Sequence, residues 1–333
     1  MSRLNSRPTF AVIFLLAAAL AFTGGCSRPT STTGEVRIAF FPNITHAPAL
    51  VGIADGRFQQ ALGSDRTLMT RAFKAGPELM VALAAGEIDL AYVGPVPAMA
   101  AASRGVPVVI LSGVTSGGVG LIVAPESGIR NLSSLKGGIV GVPQFGNTQD
   151  VQMRLLLKNA GVQEGRREGV TLAQAEAPDA GVLLRARSIQ AALLPEPWAS
   201  LYEQSGQAVR VHSGDLESLE GMPSVVLVAR RDFVLGNPEM IAALLEAQKQ
   251  VFADIRQHPE KSIRVSRKMI LDITRKALPV EVVRGAFANC RFGPELTEQR
   301  MKEISRISEE LGYIKAPFRY RDISWKEQLL AGN

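Results

Sequence analysis

The 333-residue chain is 46% hydrophobic and 20% charged, with 37 basic and 31 acidic residues. That composition excludes a disordered polymer and suggests about two domains, each able to bury a core. Two cysteines exclude a disulfide-dense scaffold or four-cysteine zinc site, and His46, His212 and His258 show no metal-ligand spacing. At the N-terminus, Arg3 and Arg7 precede an unbroken apolar run, residues 10–22. It is shorter than the ~20 residues a spanning helix needs and within the ~7–15 of a signal-peptide core. Thr23-Gly24-Gly25-Cys26 follows. Small residues directly before a cysteine resemble a bacterial lipobox, which implies that Cys26 becomes the lipidated first residue. Thr23 stands where that pattern prefers Leu, and ordinary secretory cleavage with an incidental cysteine is the alternative. Residues 1–25 are read as the signal peptide and 26–34 as a flexible tether. Removing the signal takes away two positive charges, leaving 35 basic against 31 acidic residues. So small a surplus gives no reason to expect nucleic acid as a partner.

Residues 36–41 read as a strand, 42–46 as a turn and 47–58 as a helix. Residues 88–93 read as a buried strand running into the rigid Gly94-Pro95-Val96-Pro97 and a further helix. Ser116-Gly117-Gly118 is a small loop before a strand at 120–124. The pattern then repeats. A strand at 138–142, a turn at 143–147 and a helix at 148–160 follow the first unit at an offset of 101 residues, which also carries Pro42 to Pro143. At the same offset, Ile88-Asp89-Leu90-Ala91 lies over Ile189-Gln190-Ala191-Ala192, before Pro195-Glu196-Pro197-Trp198. A strand at 224–230 precedes a helical tail. Two βα…βα units at one offset predict an α/β protein of two lobes, each a mostly parallel sheet flanked by helices. Lobe 1 is assigned residues 35–123 and 231–333, and lobe 2 residues 124–230. The strands at 120–124 and 224–230 are expected to join them as a hinge beside a cleft.

In open α/β sheets ligands sit beyond the carboxyl ends of strands, at helix starts. The first unit offers Asn43, Thr45 and His46 there, with Gly94 nearby. The second offers Gln144, Asn147 and Thr148. Free N–H groups at a helix start favour an anion. Ser116 supplies another donor, Trp198 a packed indole, and Glu196 a carboxylate that either caps its own helix or meets a ligand amine. Asn147 and Thr148 serve equally well as plain helix caps. No acidic cluster suits Ca²⁺ or Mg²⁺, and no cofactor or metal is expected. Cys290 reads as a buried small hydrophobe, and the basic stretch 261–276 as a solvated face.

Phe41-Pro42-Asn43-Ile44-Thr45-His46, Tyr92-Val93-Gly94-Pro95, Pro143-Gln144-Phe145-Gly146-Asn147-Thr148 and Pro195-Glu196-Pro197-Trp198 occur in that order and spacing. Together they resemble the nitrate/sulfonate/bicarbonate (taurine-type, aliphatic sulfonate) substrate-binding proteins of ABC importers, over about residues 35–260. One departure stands out. Members usually carry Gly-x-Ile-Asp before the Glu-Pro-Trp turn, and this chain has Arg187-Ser188-Ile189-Gln190. The resemblance implies a type II periplasmic-binding fold that closes on a small anionic solute and hands it to an ABC permease, without chemistry of its own. The expected location is extracytoplasmic, with a lipid anchor to the membrane, as a monomer. Two alternatives stay open: an enzyme of the menaquinone or thiamine-pathway type on the same fold, and a lipoprotein with no transport role.

Overall fold

The computed structural model describes residues 34–165, 167–315 and 317–325. The expected signal peptide and Cys26 lie outside these residues. The chain opens with β1 (Glu35–Phe40), α1 (Ala47–Ala54), α2 (Arg57–Leu62), β2 (Thr67–Ala72), α3 (Gly76–Ala84), β3 (Leu90–Val93), α4 (Pro95–Ser103) and β4 (Val108–Gly117). Next come β5 (Val119–Val123), β6 (Ile139–Val142), α5 (Thr148–Asn159), β7 (Thr171–Gln174), α6 (Ala180–Arg185), β8 (Ala191–Pro195), α7 (Trp198–Gln204) and β9 (Val209–Arg210). The remainder is β10 (Pro223–Arg230), α8 (Arg231–Gly236), α9 (Pro238–Gln257), α10 (Pro259–Thr274), α11 (Val280–Ala288), β11 (Cys290–Phe292) and α12 (Glu298–Glu310).

Two sheets form, one per lobe, in the orders β11-β4-β10-β3-β1-β2 and β7-β6-β8-β5-β9. β1 pairs in parallel with β2 and β3, and β6 with β7 and β8, as right-handed βα units require. The strands that lead the chain between sheets pair antiparallel instead: β10 and β11 with their neighbours in the first sheet, β5 with β8 and β9 in the second. Each sheet is therefore mixed, with the expected parallel arrangement confined to the repeated core.

The repeat persists in atomic detail. Asp89 is fully buried; its carboxylate accepts the Arg37 amide at 2.9 Å, and its own N–H donates to the Arg37 carbonyl at 2.9 Å. Gln190 does the same in the second lobe. Its Oε1 accepts the Ile139 amide at 2.7 Å, and its N–H donates to the Ile139 carbonyl at 2.8 Å. An amide oxygen in the second lobe thus does what a carboxylate does at the equivalent strand junction of the first. Three residues earlier, Gly86 and Arg187 both adopt positive φ, 77° and 56°. Arg187 holds a left-handed conformation that costs a non-glycine residue about 1 kcal/mol or more.

The sheets exchange earlier than expected on both passages, so that 119–123 falls in the second lobe and 223–230 in the first. β5 belongs to the second sheet and β10 to the first, so the chain crosses at Gly117-Gly118 and again between Arg210 and Pro223. The strands expected to be the hinge are full members of one sheet each; the turns beside them make the passage. Gly117 and Gly118 have φ of 69° and 66°, and a Cβ on Gly118 would lie 2.7 Å from Cys290 Sγ. Only glycine meets both demands. The tail, expected wholly on the first lobe, divides. Met301, Ile304 and Ile307 of α12 share a buried cluster with Val96 and Met99 of the first lobe and with Met153 and Leu157 of the second. Lys158 of α5 pairs with Glu310. Beyond α12 the chain returns to the first sheet, where the Ile110 amide donates to the Ile323 carbonyl at 2.7 Å.

Candidate functional site

A cavity of about 900 Å³ lies at the carboxyl ends of the parallel strands, walled by both lobes. Asn43, Thr45, His46 and Gly94 line it from the first lobe, and Gln144, Asn147, Thr148 and Trp198 from the second. Eight of the ten expected residues thus meet in one place, although up to 155 residues separate them in the chain.

The α5 start is the best-prepared part of the wall. Asn147 caps the helix, its Oδ1 accepting the Asp150 amide at 2.8 Å. Asp150 is fully buried and accepts from the Gly146 amide and from Arg154 Nε, both at 2.8 Å. The amides of Thr148 and Gln149 belong to the first turn, where a helix leaves its donors unpaired. Thr148 is buried, yet its hydroxyl has no hydrogen-bond partner within the protein. Gly94 permits that arrangement, because a Cβ there would sit 2.1 Å from the hydroxyl oxygen. Gln144 Oε1 is likewise buried and unpartnered. Buried polar atoms without partners are costly; here the residues that carry them belong to the wall of a cavity.

The first-lobe wall differs from the expected one. The α1 start offers little backbone, since the Ala47 amide is already bonded to the Ile44 carbonyl and Pro48 has no N–H. Side chains act in its place. Burial drives the His46 pKa down to about 3, so the imidazole is neutral at ordinary pH. Its Nδ1 accepts the Phe41 amide at 3.3 Å, which assigns the proton to Nε2 and makes that nitrogen a donor. Trp198 Nε1 donates to Asn43 Oδ1 at 3.0 Å across the two lobes.

Two expected residues are elsewhere. Ser116 sits in β4 between Pro223 and Arg291 and does not line the cavity. The serine that does is Ser224, whose hydroxyl donates to the Thr115 carbonyl at 3.2 Å. Glu196 neither faces the cavity nor can meet a ligand amine. It is fully buried, with Arg210 Nη2 at 2.7 Å from its carboxylate. The carboxylates that do line the cavity are Glu78, Glu176 and Asp179, together with the ammonium groups of Lys74 and Lys276. Lys74 Nζ lies 4.0 Å from Glu176 across the two walls, and Lys276 Nζ lies 5.5 Å from the centre of the Trp198 ring. Apart from Glu78 in the first turn of α3, these are loop residues with no pattern that marks them from sequence, and Lys276 ends the stretch read as a solvated face. Cys290 is buried outside the cavity, with its thiol pKa pushed up by desolvation. Among the described residues no cluster of three His, Cys, Asp or Glu is placed to hold a metal, and no helix is long and apolar enough to cross a membrane.

Comparison with known proteins bears on the family and the fold. The NMT1-like family matches residues 30–261. A protein of Brucella abortus (strain 2308), named only for binding, is 27% identical over 308 residues, 86% of this chain and 90% of its own. The taurine-binding periplasmic protein of Escherichia coli (strain K12) is 27% identical over 246 residues, 72% of each chain. Among solved structures, the alkanesulfonate-binding protein SsuA from Xanthomonas axonopodis pv. citri, bound to MOPS, superposes with a TM-score of 0.70 at 19% identity. That match covers 88% of this chain and 98% of SsuA, and shows the shared fold to be the two-lobed periplasmic-binding type.

Proposed function

The chain belongs to the NMT1-like family, and from that premise we propose that it is the extracytoplasmic solute-binding component of an ABC importer. It captures a small organic oxyanion, a sulfonate in first place, and delivers it to a membrane permease without catalysis. The observation that carries this reading is the buried, unpartnered Thr148 hydroxyl at the start of α5. Beside it lie the first-turn amides, and His46 Nε2 supplies a donor from the opposite wall. Hydrogen bonds to a charged group are worth about 1.5–3 kcal/mol each, so three or four offset the desolvation of one anion. Neutral donors hold an anion and still release it; none of the cavity-lining residues is an arginine, and the two lysines there lie beside Glu176 and the Trp198 ring. The names of two relatives, one taurine-binding and one alkanesulfonate-binding, support the same class. A ligand amine would meet Glu78, Glu176 or Asp179 rather than Glu196.

The lobes of this reading follow the sheets, and the chain passes between them at Gly117-Gly118 and at residues 211–222. Thermal shift against taurine, ethanesulfonate, nitrate and bicarbonate tests the solute class. A ligand at 100 times its Kd adds about 2.7 kcal/mol of stability, and the sulfonates should give the largest shift. No shift with any of the four would refute the oxyanion reading. The anchor is proposed on Cys26 and its preceding apolar run. Cys26→Ala should move the protein from the membrane to the soluble fraction; a variant that stays wholly with membranes removes the lipid from the account.

A further inference from the structure

Glu196 lies where the two sheets meet, and its carboxylate gathers donors from both. It accepts from the amide and hydroxyl of Ser200, each at 3.0 Å, from Arg210 Nη2 at 2.7 Å and from Asn289 Nδ2 at 2.8 Å. Its main chain is bonded in two directions as well. The N–H donates to the Gly118 carbonyl at 2.9 Å, and the carbonyl accepts the Ile44 amide at 3.0 Å. Gly118 N–H in turn donates to the Asn289 carbonyl at 2.8 Å. Three residues therefore close a ring: Glu196 to Gly118, Gly118 to Asn289, and Asn289 back to the Glu196 carboxylate. They come from three parts of the chain. Glu196 follows β8 of the second sheet, Gly118 is the first passage between sheets, and Asn289 sits between α11 and β11 on the first lobe. Arg210 ends β9, the last strand before the second passage, and its Nε is held by Glu203 at 2.7 Å.

We propose that this ring is the pivot about which the cleft opens and closes, and that Glu196, Arg210 and Asn289 are positioning residues for the cavity wall. A pivot is the part of a hinged molecule that does not rearrange. A fully buried carboxylate satisfied by four donors is costly to pull apart, because each separation leaves a buried polar group unpaired. From that fixed point the turn at 196–198 is pressed onto the Asn43–Ile44 loop at two places, the Ile44 amide and the Trp198 indole. An indole nitrogen can only donate, so the Asn43 oxygen must face Trp198 and its NH₂ is left for the cavity. Glu196 thus acts on a solute through Asn43. This last step rests on the proposed solute reading; the pivot itself does not.

Hydrogen exchange, read by mass spectrometry or NMR on the ligand-free chain, tests the pivot. In Asn289→Ala the amides of Ile44 and Gly118 should exchange about tenfold faster or more, while amides in β1 and β6 keep their wild-type rates. Asn289→Asp sets a second carboxylate against Glu196 and should exceed the alanine variant. Unchanged exchange at Ile44 and Gly118 in both variants overturns the proposal. So does a uniform rise through both sheets, which is the signature of a merely structural contact. Ethanesulfonate titration of the wild type separates the two claims: failure to bind counts against the solute class and leaves the exchange result standing.

Discussion

His46 shows how burial sets chemistry at a single residue. In the folded chain its pKa falls to about 3 from 6.5 because the charged ring is desolvated. Between those values the unfolded chain takes up a proton that the folded chain refuses. Stability from this group is therefore complete above about pH 6.5 and declines as pH falls toward 3, by up to a few kcal/mol. His46→Gln should lower stability at neutral pH and flatten its dependence on pH between 3 and 6.5, measured by urea denaturation. Equal slopes in both proteins would mean that another group titrates there. The sequence made His46, Asn147 and Thr148 legible because each stands at a turn between a strand and a helix, where open α/β sheets place ligands. Glu196 stands at a turn of the same kind and yet points inward. What turns it is Arg210 and Asn289, 14 and 93 residues further along, and no local spacing reveals such partners. Lys74, Glu176 and Asp179 escaped notice for the opposite reason: they lie on loops with no periodic pattern and enter the wall only when the two lobes face each other.

At the scale of elements, the 101-residue offset was readable because it is structural. Asp89 and Gln190 make the same pair of bonds to a strand backbone, and Gly86 and Arg187 share one backbone region. The replacement of an acid by an amide at position 190 is thus conservative for the strand junction, whose need is an acceptor for the Ile139 amide. The passages between sheets were less legible. The strand at 120–124 was read behind a Ser-Gly-Gly loop, and hydropathy alone does not say that the sheet changes at that point. Positive φ at both glycines redirects the chain there. α12 posed a different problem. Its apolar residues Met301, Ile304 and Ile307 recur at helical spacing, which announces a buried face without saying which lobe buries it, and here both do.

At the scale of the whole molecule, two sheets share one cavity whose walls carry polar atoms that the protein itself leaves unpaired. That arrangement destabilises the empty cleft and stabilises a filled one, which suits a receptor that must bind and release. Thr148→Val isolates the effect, since it exchanges the hydroxyl for a methyl group of similar size. Removal of a buried, unpartnered hydroxyl should leave the ligand-free protein as stable as before or more so, by about 1 kcal/mol. The same change should weaken an oxyanion by roughly tenfold or more, the equivalent of one lost bond to a charged group. The decisive measurement is calorimetric titration of the wild type and Thr148→Val with the best-bound sulfonate. One solute should bind per chain, held at least tenfold more weakly by the variant at undiminished folding stability; equal affinities in the two proteins would place the anion outside the α5 start.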